Sequence, residues 1–113
     1  MCGIVGLVNY KKELPNKKNV INTMTQTLSN RGPDEEGLYL NNNVALGHRR
    51  LIVIDPDGGK QPMIETYSYG EYVIVYNGQI YNTKELRKTL IENGFEFSGH
   101  CDTEVLLKSF IHY

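Results

Sequence analysis

The stretch Met1-Cys2-Gly3-Ile4-Val5-Gly6 places a thiol immediately before an apolar run. That run predicts a buried strand over residues 4–9. Removal of Met1, which the small side chain of Cys2 favours, would leave Cys2 with a free α-amine. One residue would then hold both a sulfur nucleophile and an amine able to take its proton, and both groups titrate near neutral pH.

Size and composition fit one domain or part of one. The chain has 113 residues, is 40% hydrophobic, and carries 12 basic and 13 acidic residues for a net charge of -1. This near-balance gives no electrostatic reason to expect nucleic acid or an anionic membrane as a partner. No apolar run approaches the roughly 20 residues that span a bilayer, and no signal peptide is visible. Two cysteines are too few for a disulfide scaffold, so we expect a cytoplasmic protein, and no zinc-ligand spacing is present.

Strand and helix signals alternate, which predicts an α+β fold with about six strands and three helices. The strands are predicted at residues 4–9, 37–40, 44–48, 51–54, 72–76 and 95–97. The first helix is predicted from Val20 to near Asn30. The second is capped by Asn82 or Thr83, and the third by Asp102 or Thr103. The third helix reaches the last residue with no stop signal, so we expect the chain to be cut there.

Four further segments carry groups that a cysteine nucleophile needs. They are residues 31–34 (Arg-Gly-Pro-Asp), 47–51 (Gly-His-Arg-Arg-Leu), 77–82 (Asn-Gly-Gln-Ile-Tyr-Asn) and 101–104 (Cys-Asp-Thr-Glu). Attack on a carboxamide requires two donors where the oxyanion forms, and Asn77 and Gly78 can supply a side-chain amide and a backbone N–H. An arginine can clamp a carboxylate, and an acidic group can bind an ammonium. Together these groups suit glutamine.

Each signal has a simpler interpretation when it stands alone. Cys2 is then an accidental thiol, Asn77-Gly78 is a hairpin turn, and Asp102 is a helix N-cap. Lone arginines such as Arg31 and Arg50 usually form surface ion pairs that contribute at most about 1 kcal/mol. Only the joint presence of these signals, in this order, favours a catalytic site.

His48 and Cys101 lie inside the same segments, but we predict structural roles for both. A lone histidine is more often a satisfied structural residue than a base. Cys101 is expected to be a small packed residue rather than a second nucleophile.

These motifs resemble the glutaminase domain of glutamine-hydrolysing asparagine synthetases. That domain belongs to the class II glutamine amidotransferases, which are N-terminal-nucleophile hydrolases. The resemblance covers residues 2 to about 107 and rests on residues 2–6, 31–34, 47–51, 59–62, 77–82 and 102–104. The cysteine followed by Gly-Ile is shared across the class, whereas the other motifs are more specific to the asparagine-synthetase branch.

The resemblance implies a role for each matched position. Cys2 resembles the nucleophile, with its own amine as the general base, and Asn77 and Gly78 resemble the oxyanion hole. Arg31 resembles a support residue near the nucleophile. The implied substrate-binding positions are Arg50 at the α-carboxylate, a backbone wall at Leu51, Ile52, Val53 and Ile54, and Gln79 and Asp102 at the α-ammonium.

The implied reaction is hydrolysis of glutamine to glutamate and ammonia through a glutamyl thioester. In the family, ammonia then reaches a synthetase domain and attacks an aspartyl-adenylate made from aspartate and magnesium ATP. No cofactor is therefore expected in this chain, and ATP and Mg²⁺ are expected in the synthetase domain, which is absent from it.

The chain departs from the family pattern at Gln79, where glutamate is usual, and in length. The family domain is a longer αββα four-layer sandwich, so residues 1–113 are expected to be a truncated, N-terminal part of it. An incomplete sandwich would expose an apolar face and favour self-association into a homo-oligomer.

Two alternatives remain open at this point. The chain could belong to another class II branch that feeds ammonia to a sugar phosphate or a phosphoribosyl acceptor. It could instead be a catalytically silent fragment that associates with a partner chain, an alternative that a retained Met1 would favour.

Overall fold

The structure is a computed structural model that describes residues 2–52 and 59–113. It has an α+β architecture, as the alternating signals predicted, and every strand pairing in the described residues is antiparallel. The elements in chain order are β1 (Gly3–Val8), α1 (Lys17–Gln26), β2 (Glu35–Leu40), β3 (Val44–Arg50), β4 (Met63–Tyr67), β5 (Gly70–Ile74), α2 (Thr83–Glu92) and α3 (Asp102–His112).

The first sheet has the strand order β1-β3-β2, with β3 in the centre. Gly3 pairs with Arg49, so Cys2 lies just beyond the ladder, beside the end of β3. Helix α1 covers one face of this sheet, and a Cβ at Gly47 would lie only 2.1 Å from Oγ1 of Thr25. Glycine at this position therefore allows α1 to approach the central strand closely.

The second sheet is the hairpin of β4 and β5, against which α3 packs. The ammonium group of Lys108 on α3 lies 2.8 Å from Oε1 of Glu65 on β4 and 2.8 Å from Oε2 of Glu104 one turn earlier. Oxygens of Glu104 also accept hydrogen bonds from the N–H groups of Ser98 and Gly99. This charged cluster fixes the first turn of α3 against the hairpin and the preceding loop.

Two contacts join the sheets next to the end of β3. A Cβ at Gly37 on β2 would lie 1.9 Å from the carbonyl oxygen of Gln61, so the two backbones touch only because residue 37 is glycine. On β3, Nε2 of the buried His48 lies 3.4 Å from the carbonyl oxygen of Tyr76, just after β5. The chain leaving β5 is thereby held beside Cys2.

The structure corrects part of the strand prediction. The first strand forms, but Ile4 and Val8 are 46% and 51% exposed, because only the face of β1 toward α1 is covered. No strand forms at residues 95–97. Phe97 instead lies below the guanidinium of Arg87, and the ring of Phe95 packs on His112. Strand β4 was not predicted, since its apolar and polar residues do not alternate cleanly.

The predicted strand over residues 51–54 is also not supported at its start. Leu51 and Ile52 lie outside the strands, whereas residues 53–54 fall outside the described residues. The turn after β2 is closed by Oδ1 of Asn41, which accepts hydrogen bonds from the N–H groups of Asn43 and Val44, as the predicted hairpin requires.

The helices form where predicted, but their ends differ. Helix α1 begins at Lys17 rather than near Val20 and ends at Gln26, followed by turns. Asn82 occupies the N-cap of α2 without a capping side-chain bond. The N-cap of α3 is Cys101 rather than Asp102 or Thr103. Within the described residues, no helix is long and apolar enough to cross a membrane.

Candidate active site

A cleft of about 360 Å³ opens where the end of β3, the chain leaving β5 and the start of α3 meet. Most of the residues singled out from the sequence line it, although they come from distant segments. The lining residues are Cys2, Arg50, Leu51, Gly59, Gln61, Tyr76, Asn77, Gly78, Gln79, Cys101, Asp102 and Thr103.

Cys2 is held by both its side chain and its backbone. The sulfur lies 3.3 Å from the N–H nitrogen and 3.6 Å from the carbonyl oxygen of Leu51. The carbonyl oxygen of Cys2 accepts hydrogen bonds from Nδ2 of Asn77 at 3.0 Å and Nε of Arg31 at 3.3 Å. These contacts fix the thiol at the cleft, and an N–H aimed at the sulfur would stabilise a negative charge there.

Asn77 and Gly78 do not form a hairpin turn, because β5 ends at Ile74 and the chain continues to α2 without pairing. Both residues are exposed at the cleft. The amide of Asn77 has two N–H donors, so its bond to the Cys2 carbonyl leaves one that could meet an oxyanion. A Cβ at residue 78 would lie 2.6 Å from the phenolic oxygen of Tyr76, which explains the need for glycine there.

Arg50 reaches the cleft from the end of β3 and is only 4% exposed. Its Nη1 lies 3.0 Å from Oε2 of Glu35 on the neighbouring strand, so it forms a largely buried pair rather than the surface pair considered above. A guanidinium carries five N–H donors in a fixed fork. The contact with Glu35 therefore orients Arg50 without excluding a bound carboxylate.

Asp102 is the first residue of α3, where the helix dipole favours a carboxylate. Its Oδ2 accepts a hydrogen bond from the N–H of Ile80 at 3.2 Å, which ties the segment around Gln79 to the helix. Asp102 and Gln79 both line the cleft, where their oxygens could accept hydrogen bonds from an ammonium group. The carboxylate supplies the negative charge that Gln79 lacks.

His48 and Cys101 both occupy structural positions. Burial lowers the pKa of His48 below its ordinary value, so the ring that meets the Tyr76 carbonyl is neutral near pH 7. Cys101 lines the cleft but is only 5% exposed, and burial raises the pKa of its thiol. Neither cysteine is in a disulfide.

The backbone wall is only partly brought to the cleft. Leu51 lines it, whereas the N–H of Ile52 donates to Oδ2 of Asp34 at 2.8 Å and Ile52 is not among the lining residues. Val53 and Ile54 lie outside the described residues. Arg31 contacts Cys2 without lining the cleft.

Sequence reasoning gave no role to several residues that line the cleft: Gly59, Gln61, Tyr76 and Thr103. A signal existed for three of them, because residues 59–62 and 102–104 were among the segments that carried the family resemblance. Burial, followed by the charge of Asp102, raises the pKa of Tyr76, so its phenol stays protonated near neutral pH. Among residues 2–52 and 59–113, no group of three His, Cys, Asp or Glu side chains could hold a metal ion.

Comparison with known proteins defines the class of this site. The sequence profile of the glutamine amidotransferase domain matches residues 1–113, and the chain belongs to that family. Over its whole length it is 49% identical to glutamine-hydrolysing asparagine synthetase 3 of Bacillus subtilis and 40% identical to asparagine synthetase 1 of the same organism. An asparagine synthetase of Brassica oleracea is 37% identical over 90% of the chain. The chain spans only 17–18% of the length of these relatives.

Proposed function

We propose that this chain carries the glutamine-hydrolysing site of an asparagine synthetase. The observation that supports it most is the meeting of Cys2, Asn77, Gly78, Arg50 and Asp102 at one cleft. These residues come from separate parts of the chain, and each alone has a simpler explanation. Gathered together, they offer a nucleophile, oxyanion donors, a carboxylate clamp and an ammonium site in a volume suited to a small amino acid.

The proposed reaction begins with transfer of the thiol proton of Cys2 to its own α-amine, once Met1 has been removed. The sulfur attacks the side-chain carbonyl carbon of glutamine, and negative charge collects on the carbonyl oxygen. The second N–H of the Asn77 amide and the backbone N–H of Gly78 stabilise that oxygen. The C–N bond then breaks, ammonia leaves with the returned proton, and a glutamyl thioester remains until water releases glutamate.

Substrate recognition would follow from the opposite charges of Arg50 and Asp102 in one cleft, because the α-carboxylate and α-ammonium of glutamine share one carbon. Arg50, oriented by Glu35, would bind the α-carboxylate, and Asp102 with Gln79 would bind the α-ammonium. Leu51 would close the site near the sulfur. Arg31 would support the nucleophile by its bond to the Cys2 carbonyl.

The remaining proposals concern the larger protein. We propose that residues 1–113 are the N-terminal part of a four-layer αββα domain, and that ammonia passes to a cytoplasmic synthetase domain using aspartate, ATP and Mg²⁺. No cofactor is proposed for residues 1–113 themselves. The exposed Ile4 and Val8 would be covered by the rest of such a domain or by a second copy.

The test uses the protein at its full natural length. Intact-mass analysis first establishes whether Met1 has been removed, and glutamate release from glutamine is then measured for the wild type and Cys2→Ala. We expect hydrolysis only by the wild type with Met1 removed. Absence of hydrolysis from that form would refute the proposal and favour the catalytically silent alternative. Asparagine formation with ammonium in place of glutamine checks the proposed acceptor and should survive Cys2→Ala.

A further inference from the structure

Gln61 links two sides of the cleft through its side-chain amide. Its Oε1 accepts a hydrogen bond from the backbone N–H of Tyr76 at 2.6 Å. Its Nε2 donates to Oγ1 of Thr103 at 3.2 Å. Both ends of the amide are therefore bound, and they are bound to different elements: the chain leaving β5 and the first turn of α3.

The bond to Tyr76 acts on the proposed oxyanion donors. Tyr76 directly precedes Asn77, and its own carbonyl oxygen faces Nε2 of His48 at 3.4 Å. Gln61 and His48 thus hold the two peptide groups that flank the Cα of Tyr76. The direction in which the chain enters Asn77 and Gly78 is set by these two contacts.

The bond to Thr103 acts on the proposed ammonium site. Thr103 is buried and directly follows Asp102 at the start of α3. Gln61 is itself fixed by its backbone, because a Cβ at Gly37 would lie 1.9 Å from its carbonyl oxygen. The side-chain amide of Gln61 therefore holds Tyr76 and Thr103 at defined positions relative to the first sheet.

We propose that Gln61 is a positioning residue that sets the spacing between the oxyanion donors and the ammonium-binding carboxylate. The distance that glutamine can span from its α-ammonium to its side-chain amide is limited, so a matching spacing in the cleft helps to align the carbonyl carbon with the sulfur of Cys2. Gln61 touches neither the sulfur nor, on this proposal, the reacting atoms. The inference rests on the proposed glutamine-hydrolysing function.

Three variants of the full-length protein separate the contributions. Gln61→Met keeps the length of the side chain and removes both hydrogen bonds. Thr103→Val keeps the shape of its side chain and removes only the bond toward α3. Gln26→Met is the matched control, because it also removes a hydrogen-bonded glutamine amide. Nε2 of Gln26 donates to Oε2 of Glu36 at 2.7 Å, and neither residue lines the cleft.

The readout compares two reagents that modify Cys2. Iodoacetamide reports the reactivity of the thiol, whereas a diazoketone analogue of glutamine reports reactivity that depends on substrate alignment. In Gln61→Met we expect labelling by the diazoketone to slow by about tenfold or more, the scale of lost hydrogen bonds, with iodoacetamide labelling nearly unchanged. In Thr103→Val, KM for glutamine should rise several-fold with kcat nearly kept. Gln26→Met should match the wild type in all measurements.

The outcomes distinguish the two proposals. If the diazoketone does not label the wild type with Met1 removed, the proposed function itself fails. The second comparison is the ratio of the diazoketone labelling rate to the iodoacetamide labelling rate. If this ratio is the same in the wild type and in Gln61→Met, the positioning role of Gln61 is overturned. If Gln61→Met does not fold, Thr103→Val decides, and an unchanged KM in that folded variant overturns the inference.

Discussion

Nδ2 of Asn77 lies 3.0 Å from the carbonyl oxygen of Cys2, across 75 positions of sequence. The proposed oxyanion donor is thus attached to the residue that would make the attack. Nε of Arg31 donates a hydrogen bond to the same carbonyl oxygen at 3.3 Å. Because this hydrogen bond joins Asn77 to Cys2, a shift of one residue displaces the other. The relative geometry of the proposed donor and nucleophile is therefore set before substrate binds.

Replacing Asn77 by aspartate should disable hydrolysis without removing the thiol itself. The change exchanges the N–H donors for a carboxylate that repels both the Cys2 carbonyl and a developing oxyanion. We expect kcat for glutamine hydrolysis to fall by about 100-fold to 1,000-fold, the usual loss for one oxyanion donor. Rates of glutamate release check this. Asn42→Asp, in the exposed turn after β2, is the control for added charge, and a loss below tenfold at Asn77 would contradict the assignment.

The grouping of the candidate site residues could be predicted better than the fold around them. Residue type suggested Asn77 and Gly78 as oxyanion donors, the family resemblance pointed to Arg50 and Asp102, and all four line one cleft, although their roles stay a prediction. Strands at residues 95–97 and in β4 were misjudged, because tertiary packing decides between alternation and irregular structure in short segments. The role of Gln61 could not be predicted, since its two hydrogen bonds join elements that only the folded chain brings together.

Restoring a carboxylate at position 79 should tighten glutamine binding. A charge-assisted hydrogen bond contributes about 1.5–3 kcal/mol and a neutral one about 0.5–1.5 kcal/mol. The difference of about 1 kcal/mol predicts that Gln79→Glu lowers KM for glutamine about fivefold. Steady-state kinetics measure it, with Asn22→Asp on α1 as the matched change of charge outside the cleft lining. A KM that does not fall would show that Asp102 alone meets the ammonium.

The two cysteines should differ in reactivity toward iodoacetamide. Cys2 is half-buried at the cleft, whereas burial both shields Cys101 and raises the pKa of its thiol, which reduces its thiolate at neutral pH. We expect labelling of Cys2 to be about tenfold faster or more at pH 7, and labelling of Cys101 to accelerate as the pH rises. Peptide mass spectrometry assigns the sites, and both should react in denaturant. Equal rates in the folded protein would contradict the burial of Cys101.

Lys108 should contribute strongly to stability. Its side chain and that of Glu104 are 5% and 4% exposed, so Lys108→Met would leave a carboxylate buried without its cation. Such a loss costs about 3–5 kcal/mol, whereas Lys17→Met leaves behind only the carboxylate of Glu13, which is 67% exposed, and should cost at most about 1 kcal/mol. Urea unfolding compares the two variants. If both variants lose the same small amount of unfolding free energy, the charged cluster of Lys108, Glu104 and Glu65 does not stabilise the fold.

The same cluster predicts a dependence of stability on acid. Burial alone would raise the pKa of Glu104, but the bonds from Lys108, Ser98 and Gly99 outweigh it and hold that pKa below its usual 4.5. The folded state therefore binds fewer protons than the unfolded state in this range. The contribution of the ionised Glu104 to the free energy of unfolding is fully present above about pH 4.5, and it is lost as the pH falls through the lower pKa of the folded state. Urea unfolding at a series of pH values measures this, and Glu104→Gln should weaken the dependence of the free energy of unfolding on pH in this range.

The pairing of Gly3 with Arg49 begins one residue after Cys2. Successive side chains of a strand point to opposite faces, so a shift of one residue in β1 would turn the sulfur away from the cleft. An inserted or deleted codon in this stretch would therefore be far more damaging than most changes of a single amino acid. Only changes that keep Cys2 directly before Gly3 would preserve the placement of the thiol at the cleft.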